Sequence, residues 1–181
     1  MPPELLPEPW HSFLSEVDAL LQTPLTLHCF GGFVVTLLYG ATRLTADVDV
    51  FLNAPGKIGQ LPALAGKDSA LHRKHGVYLD FVAIASVPED YDQRLIEMFP
   101  DTFKHMRLFA FDPYDVALAK LERNIQRDRD DVKFLARTVP FDFDVLKERY
   151  EKELRPLLGN PAREDLTLRL WLEAIAEERS E

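Results

Sequence analysis

Arg43-Leu44-Thr45-Ala46-Asp47-Val48-Asp49-Val50, preceded by Gly31-Gly32, is the stretch that decides how this chain folds. Val48 to Leu52 reads as a strand stopped by the turn signal Asn53-Ala54-Pro55-Gly56. Side chains two apart on a strand share a face, so Asp47 and Asp49 project together while Val48 and Val50 point into the core. Neighbouring carboxylates repel, which raises a pKa or weakens the fold unless a cation compensates, and a divalent metal does this well. Two ordinary acids on one wet strand face are the plainer alternative.

Asp80 adds weight to the metal. It interrupts the apolar strand Val77-Tyr78-Leu79-Asp80-Phe81-Val82-Ala83-Ile84, where an unpaired charge is costly to bury. If that strand lies beside the Asp47 strand, facing residues stand roughly 5 Å apart, and three carboxylates can share metal ions. A two-metal site needs its ions about 4 Å apart, one at the attacking and one at the leaving oxygen. Asp80 at a strand edge facing water is the alternative. Upstream, Leu25 to Phe30 reads as a buried strand, Gly31-Gly32 as a turn and Phe33 to Tyr39 as a helix ended by Gly40. Glycines between a strand and a helix allow close backbone approach, and the first amides of the helix favour phosphate.

Outward from this segment, the chain has 181 residues, a net charge of -9 and 46% hydrophobic residues, enough for a buried core, as one domain or as a small core with a helical annex. The acidic balance excludes the phosphate-neutralising surface of a duplex-DNA binder. One cysteine, Cys29, permits no internal disulfide and no cysteine-rich zinc site, which points to a reducing, cytoplasmic setting. No Lys or Arg precedes Arg43, against a secretory or transit leader. Ala19 to Thr42 carries no charge, but Pro24, His28 and three glycines break it into pieces too short for a membrane span.

An amphipathic helix opens the chain through Trp10, Phe13, Leu14, Val17, Leu20 and Leu21. Lys57 to Gly76 is a weakly patterned connection with one or two short helices, and His72 and His75 in it lack the further ligands of a tetrahedral metal set. Tyr91 to Met98 reads as a helix and Met106 to Phe111 as a strand. Asp112 then caps a helix with Pro113 in its first position and Asp115 favouring its dipole. The remainder is helical, with Asp142 as a further cap and a last apolar stripe from Leu166 to Ile175. The division expected is a mixed α/β core over 1–111 and an all-helical region over 112–181.

Gly31-Gly32, a helix, Arg43-x-Thr45-x-Asp47-x-Asp49 and a later strand Asp80 together resemble the signature of nucleotidyltransferases of the DNA polymerase β superfamily, most closely the small bacterial branch of AbiEii-type abortive-infection toxins. Lys120-Leu121-x-Arg123 and Arg127-Asp128-x-x-Asp131 resemble the helical motif of that branch, and the likeness covers roughly residues 25 to 137. The resemblance implies an α/β fold, a short mixed sheet flanked by helices and followed by a helical part. It implies magnesium or manganese at Asp47, Asp49 and Asp80, with Asp80 helping to activate an incoming hydroxyl. It implies phosphate contacts from Gly31 and Gly32, bracing or phosphate contact by Arg43 and Thr45, and a reach to the triphosphate by Lys120. Many members carry Ser where this chain has Gly32, so one hydroxyl contact is missing.

The activity implied is transfer of a nucleoside monophosphate from an NTP to a hydroxyl of an acceptor, RNA such as tRNA or a protein, in a toxin-antitoxin or phage-defence setting with an antitoxin partner. The competing expectation is a catalytically inactive, antitoxin-like binding protein of the same fold. Lys120 to Arg137 holds six basic residues against four acids. On an unbroken helix, Lys120, Arg123, Arg127 and Asp131 would share a face turned to phosphate or RNA; a solvated face of ion pairs is the alternative.

Overall fold

The computed structural model describes residues 5–51, 58–83 and 85–180. The expected turn Asn53-Ala54-Pro55-Gly56, Leu52, Lys57 and the expected strand end Ile84 lie outside them. Two compact units form, Met1–Ala85 with Leu95–Phe111, and Ser86–Arg94 with Asp112–Glu181.

The first unit is built on a mixed sheet of five strands in the order β3-β2-β1-β5-β4. Its elements are α1 (Trp10–Leu20), β1 (Leu25–Phe30), α2 (Gly31–Leu37), β2 (Asp47–Phe51), α3 (Leu61–Ala65), α4 (Ala70–His75), β3 (Tyr78–Val82), β4 (Ile96–Met98) and β5 (Met106–Ala110). Strand β1 pairs antiparallel with β2 and parallel with β5, β2 pairs parallel with β3, and β4 pairs antiparallel with β5. Helix α1 buries Trp10, Phe13, Leu14 and Val17 of the stripe expected from helical spacing, whereas Leu20 is exposed and Leu21 lies beyond the helix, and the Trp10 and Phe33 rings meet edge to face at 5.0 Å.

At the end of α1, the buried Asp18 carboxylate accepts the backbone N–H groups of Lys104 at 3.0 Å and of His105 and Met106 at 2.7 Å. It satisfies donors at the entry to β5 that would otherwise be lost to water. Asp18→Ala is expected to cost about 2–3 kcal/mol, seen as a lower urea midpoint at unchanged slope. A cost within measurement error would mean that solvent replaces the carboxylate at no loss.

Two expectations need correction here. Gly31 and Gly32 do not precede the helix as a separate turn but form the first turn of α2. Tyr91 to Met98 is not one helix: a 3₁₀ turn covers Tyr91–Arg94 and the chain then becomes β4. Tertiary partners decide this, since Met98 sits opposite Leu108 in the sheet and Glu97 makes two bonds to Arg107, both at 2.9 Å.

The second unit is helical: α5 (Pro113–Leu118), α6 (Gln126–Thr138), α7 (Phe143–Arg149), which runs on through a π turn over Tyr150–Leu154, and α8 (Ala162–Ser180). Asp112 and Asp142 cap α5 and α7 through bonds from the amides of Asp115 and Asp144, as their sequence positions suggested. Helix α5 does not continue into α6. The chain leaves the helix after Leu118, passes Asn124 at a positive φ of 44°, and restarts where the Asp128 carboxylate accepts the Ile125 N–H at 3.2 Å. The single face expected for Lys120, Arg123, Arg127 and Asp131 therefore does not form.

Candidate active site

Strand β2 buries Val48 and Val50 completely and leaves Asp47 and Asp49 half-buried on the other face. The alternation runs back along the chain: Arg43 and Thr45 are also half-buried, while Leu44 and Ala46 are exposed. Asp47 and Asp49 turn toward one side because β2 is extended and its valines fall into the core. The Thr45 hydroxyl donates to the Asp47 carboxylate at 2.9 Å, so Thr45 orients an acid.

In the parallel pair of β2 with β3, Asp49 stands opposite Asp80. One carboxylate oxygen from each of Asp47, Asp49 and Asp80 lies within 4.8 Å of the other two. Asp80 is exposed, as the wet-edge alternative held, because β3 is the last strand of the sheet; it nevertheless joins the cluster.

The glycines reach the same place from β1. Gly31 follows Phe30, which pairs with Asp49, and has a φ of +70°, a conformation that other residues adopt at a cost. A Cβ on Gly31 would fall 1.7 Å from Asp49 Oδ2, so the carboxylate fills the space that a side chain would take. A Cβ on Gly32 would fall 2.6 Å from Arg43 Nη2, which places the guanidinium over the glycine turn. Sequence reasoning named Gly31, Gly32, Arg43, Thr45, Asp47, Asp49 and Asp80 from spacing and resemblance, and the structure brings all seven into one neighbourhood.

The donor set suits a hard divalent cation, which binds through carboxylate oxygens. Among the described residues no Lys or Arg pairs with Asp47 or Asp80. Cys29, two residues before Gly31, is fully buried, and burial with the nearby Asp49 charge pushes its thiol far up, leaving a neutral packing group.

Lys120 is placed differently. It belongs to the second unit and is buried, with its ammonium 2.8 Å from Asp131 and 3.5 Å from Asp128. Burial pushes the Asp128 carboxyl up, but Arg123 and Lys120 outweigh it and hold Asp128 below the usual carboxylate range. The Lys120 to Asp131 stretch thus contains an internal ion network.

Tyr78 was missed. It opens β3 opposite Asp47, and burial together with Asp47, Asp80 and Asp49 raises its phenol above the ordinary range, so it stays protonated. Its position two residues before Asp80 on the same strand was the available signal. His72 and His75, expected in a weakly patterned connection, lie on α4; His72 packs on Tyr78, and His75 on Phe13 beside Glu16.

A family model described as nucleotidyltransferase of unknown function (DUF6036) matches residues 12–177. No curated protein and no solved structure matches the chain. The family match runs through both units and contains every residue of the carboxylate cluster and its glycine support, so the chain belongs to this nucleotidyltransferase family.

Proposed function

We propose that this protein is a divalent-metal-dependent nucleotidyltransferase that moves a nucleoside monophosphate from an NTP to a hydroxyl of an RNA, such as tRNA, or of a protein, and releases pyrophosphate. Support comes above all from the convergence of Asp47, Asp49 and Asp80 within 4.8 Å, with Gly31 supplying the space that Asp49 occupies. Asp47, Asp49 and Asp80 would hold magnesium or manganese, which when bound neutralises the triphosphate and steadies the attacking and leaving oxygens.

The chain's own residues do the rest. The amides of Gly31 and Gly32 bind phosphate oxygens at the start of α2, and the Arg43 guanidinium beside Gly32 adds positive charge. Thr45 holds the Asp47 carboxylate in one orientation. The Asp80 carboxylate, exposed at the sheet edge, accepts the proton of the attacking hydroxyl. Lys120 enters as the ion that fixes the second unit, its ammonium being already paired. A toxin-like role in toxin-antitoxin or phage defence with an antitoxin partner follows from the AbiEii-type resemblance, and the single cysteine fits a reducing, cytoplasmic setting.

The test is incubation with magnesium and labelled NTPs in the presence of total tRNA and, separately, cell protein. Label is expected on one acceptor class and absent with Asp47→Ala, along with loss of the thermal stabilisation given by magnesium and NTP. Wild-type protein that neither gains stability from magnesium with any NTP nor transfers label would overturn the proposal and favour a binding protein of the same fold.

A further inference from the structure

The sheet face that carries the three aspartates also carries a tyrosine beside them. Tyr78 lies two residues before Asp80 on β3, so the two share a face, and it stands directly opposite Asp47 in the parallel register. Its ring is fixed from the helix side: the His72 ring lies 4.8 Å away, centroid to centroid, at an interplanar angle of 64°. His72 is itself held, because its Nδ1 accepts the Asp68 N–H at 2.9 Å, which leaves the imidazole proton on Nε2. The Tyr78 hydroxyl makes no hydrogen bond among the described residues. A ring held in place beside a carboxylate cluster, with a donor left unused, is suited to a substrate contact.

The strand order says which substrate. Across the sheet come β3 with Tyr78 and Asp80, then β2 with Asp47 and Asp49, then β1, which leads into Gly31 and Gly32. The glycine amides take the triphosphate on the β1 side in the function proposed above. Phosphoryl transfer keeps the attacking and leaving oxygens roughly in line, so the attacking hydroxyl approaches from the side opposite the leaving pyrophosphate, which is the β3 side. We propose that Tyr78 lines the acceptor subsite: its ring packs against the hydroxyl-bearing end of the acceptor, and its phenol donates a hydrogen bond to it. His72 acts as a positioning residue for that ring. The subsite rests on the transferase function, and its chemistry is that of a polar, hydroxyl-bearing group with a flat or apolar face for the ring.

The experiment measures label transfer from an NTP with magnesium while total tRNA or cell protein, whichever takes label from the wild type, is varied against fixed NTP, and then the reverse. Tyr78→Phe keeps the ring and loses the donor, and is expected to raise the acceptor KM about three- to ten-fold, the range of one hydrogen bond. Tyr78→Ala is expected to raise it further and His72→Ala by an intermediate amount, while the NTP KM moves less than about two-fold. Thermal stabilisation of each variant by magnesium and NTP separates a folded, nucleotide-competent protein from a damaged one. An unchanged acceptor KM in Tyr78→Ala, or a rise confined to the NTP KM, would overturn the subsite while leaving the transferase function standing. A wild type without transfer would overturn both.

Discussion

Gly31→Ala is expected to abolish nucleotidyl transfer about as thoroughly as Asp49→Asn. The added methyl would lie 1.7 Å from Asp49 Oδ2 and 2.7 Å from its Cγ. Carbon and oxygen do not approach that closely, so the carboxylate must retreat by more than roughly 1 Å, and misplacement of that size alone is worth on the order of a hundred-fold in rate. The backbone adds a cost of about 1–2 kcal/mol, because a residue with a Cβ is strained at the φ of +70° found there. Asp49→Asn leaves the space filled but removes the charge, and is expected to lose on the order of a hundred- to a thousand-fold. Gly40→Ala is the control: its φ is +82° and nothing lies within 4 Å of the added Cβ, so it carries similar strain without touching the site. It should lose stability and keep transfer. Gly31→Ala with wild-type transfer and undiminished stabilisation by magnesium and NTP would remove Asp49 from the metal site.

The features legible in the sequence are those set by short-range periodicity. Val48 and Val50 alternate with Asp47 and Asp49, and a strand follows with its two faces already assigned. Asp112-Pro113 announces a helix start, since a carboxylate cap and a residue without an N–H both suit the first turn. Asp80 was legible only in part: its strand was recognisable, but its exposure depends on β3 being the sheet edge, which no local pattern encodes. The same limit hid β4. Met98 and Glu97 are held by Leu108 and Arg107, partners ten residues away in the chain, and the local pattern offered a helix instead. Lys120 shows the converse, a cation that looked available by composition but whose charge is met by Asp128 and Asp131 through a chain reversal at Asn124. The grouping of Ser86–Arg94 with the helical residues was not legible at all, because it depends on where one arginine finds its carboxylates.

That arginine sets the largest expected stability effect. Arg94 donates from Nε and Nη2 to the two Asp115 oxygens at 2.9 and 3.1 Å, and from Nη1 and Nη2 to Glu153 at 3.1 and 2.6 Å. Arg149 joins Asp112 at 2.7 Å to Asp115 at 3.1 Å, with its guanidinium 4.9 Å from the centre of the Tyr114 ring. Asp115 is completely buried, and burial raises its carboxyl above the ordinary range even with both arginines beside it. The harm of breaking this cluster lies in the two guanidinium groups left without their shared acceptor. Asp115→Ala is expected to cost about 3–5 kcal/mol, a large share of the roughly 5–15 kcal/mol that holds a typical domain. Asp115→Asn, which keeps the shape and one acceptor, should cost less. Trp10 belongs to the first unit and Trp171 to the second, so chemical unfolding in a Trp10→Phe background reports the second unit through Trp171 alone. A midpoint for Asp115→Ala equal to that of the same background with Asp115 intact would mean that water satisfies both arginines, and the cluster would then hold neither Ser86–Arg94 nor the start of α5 in place.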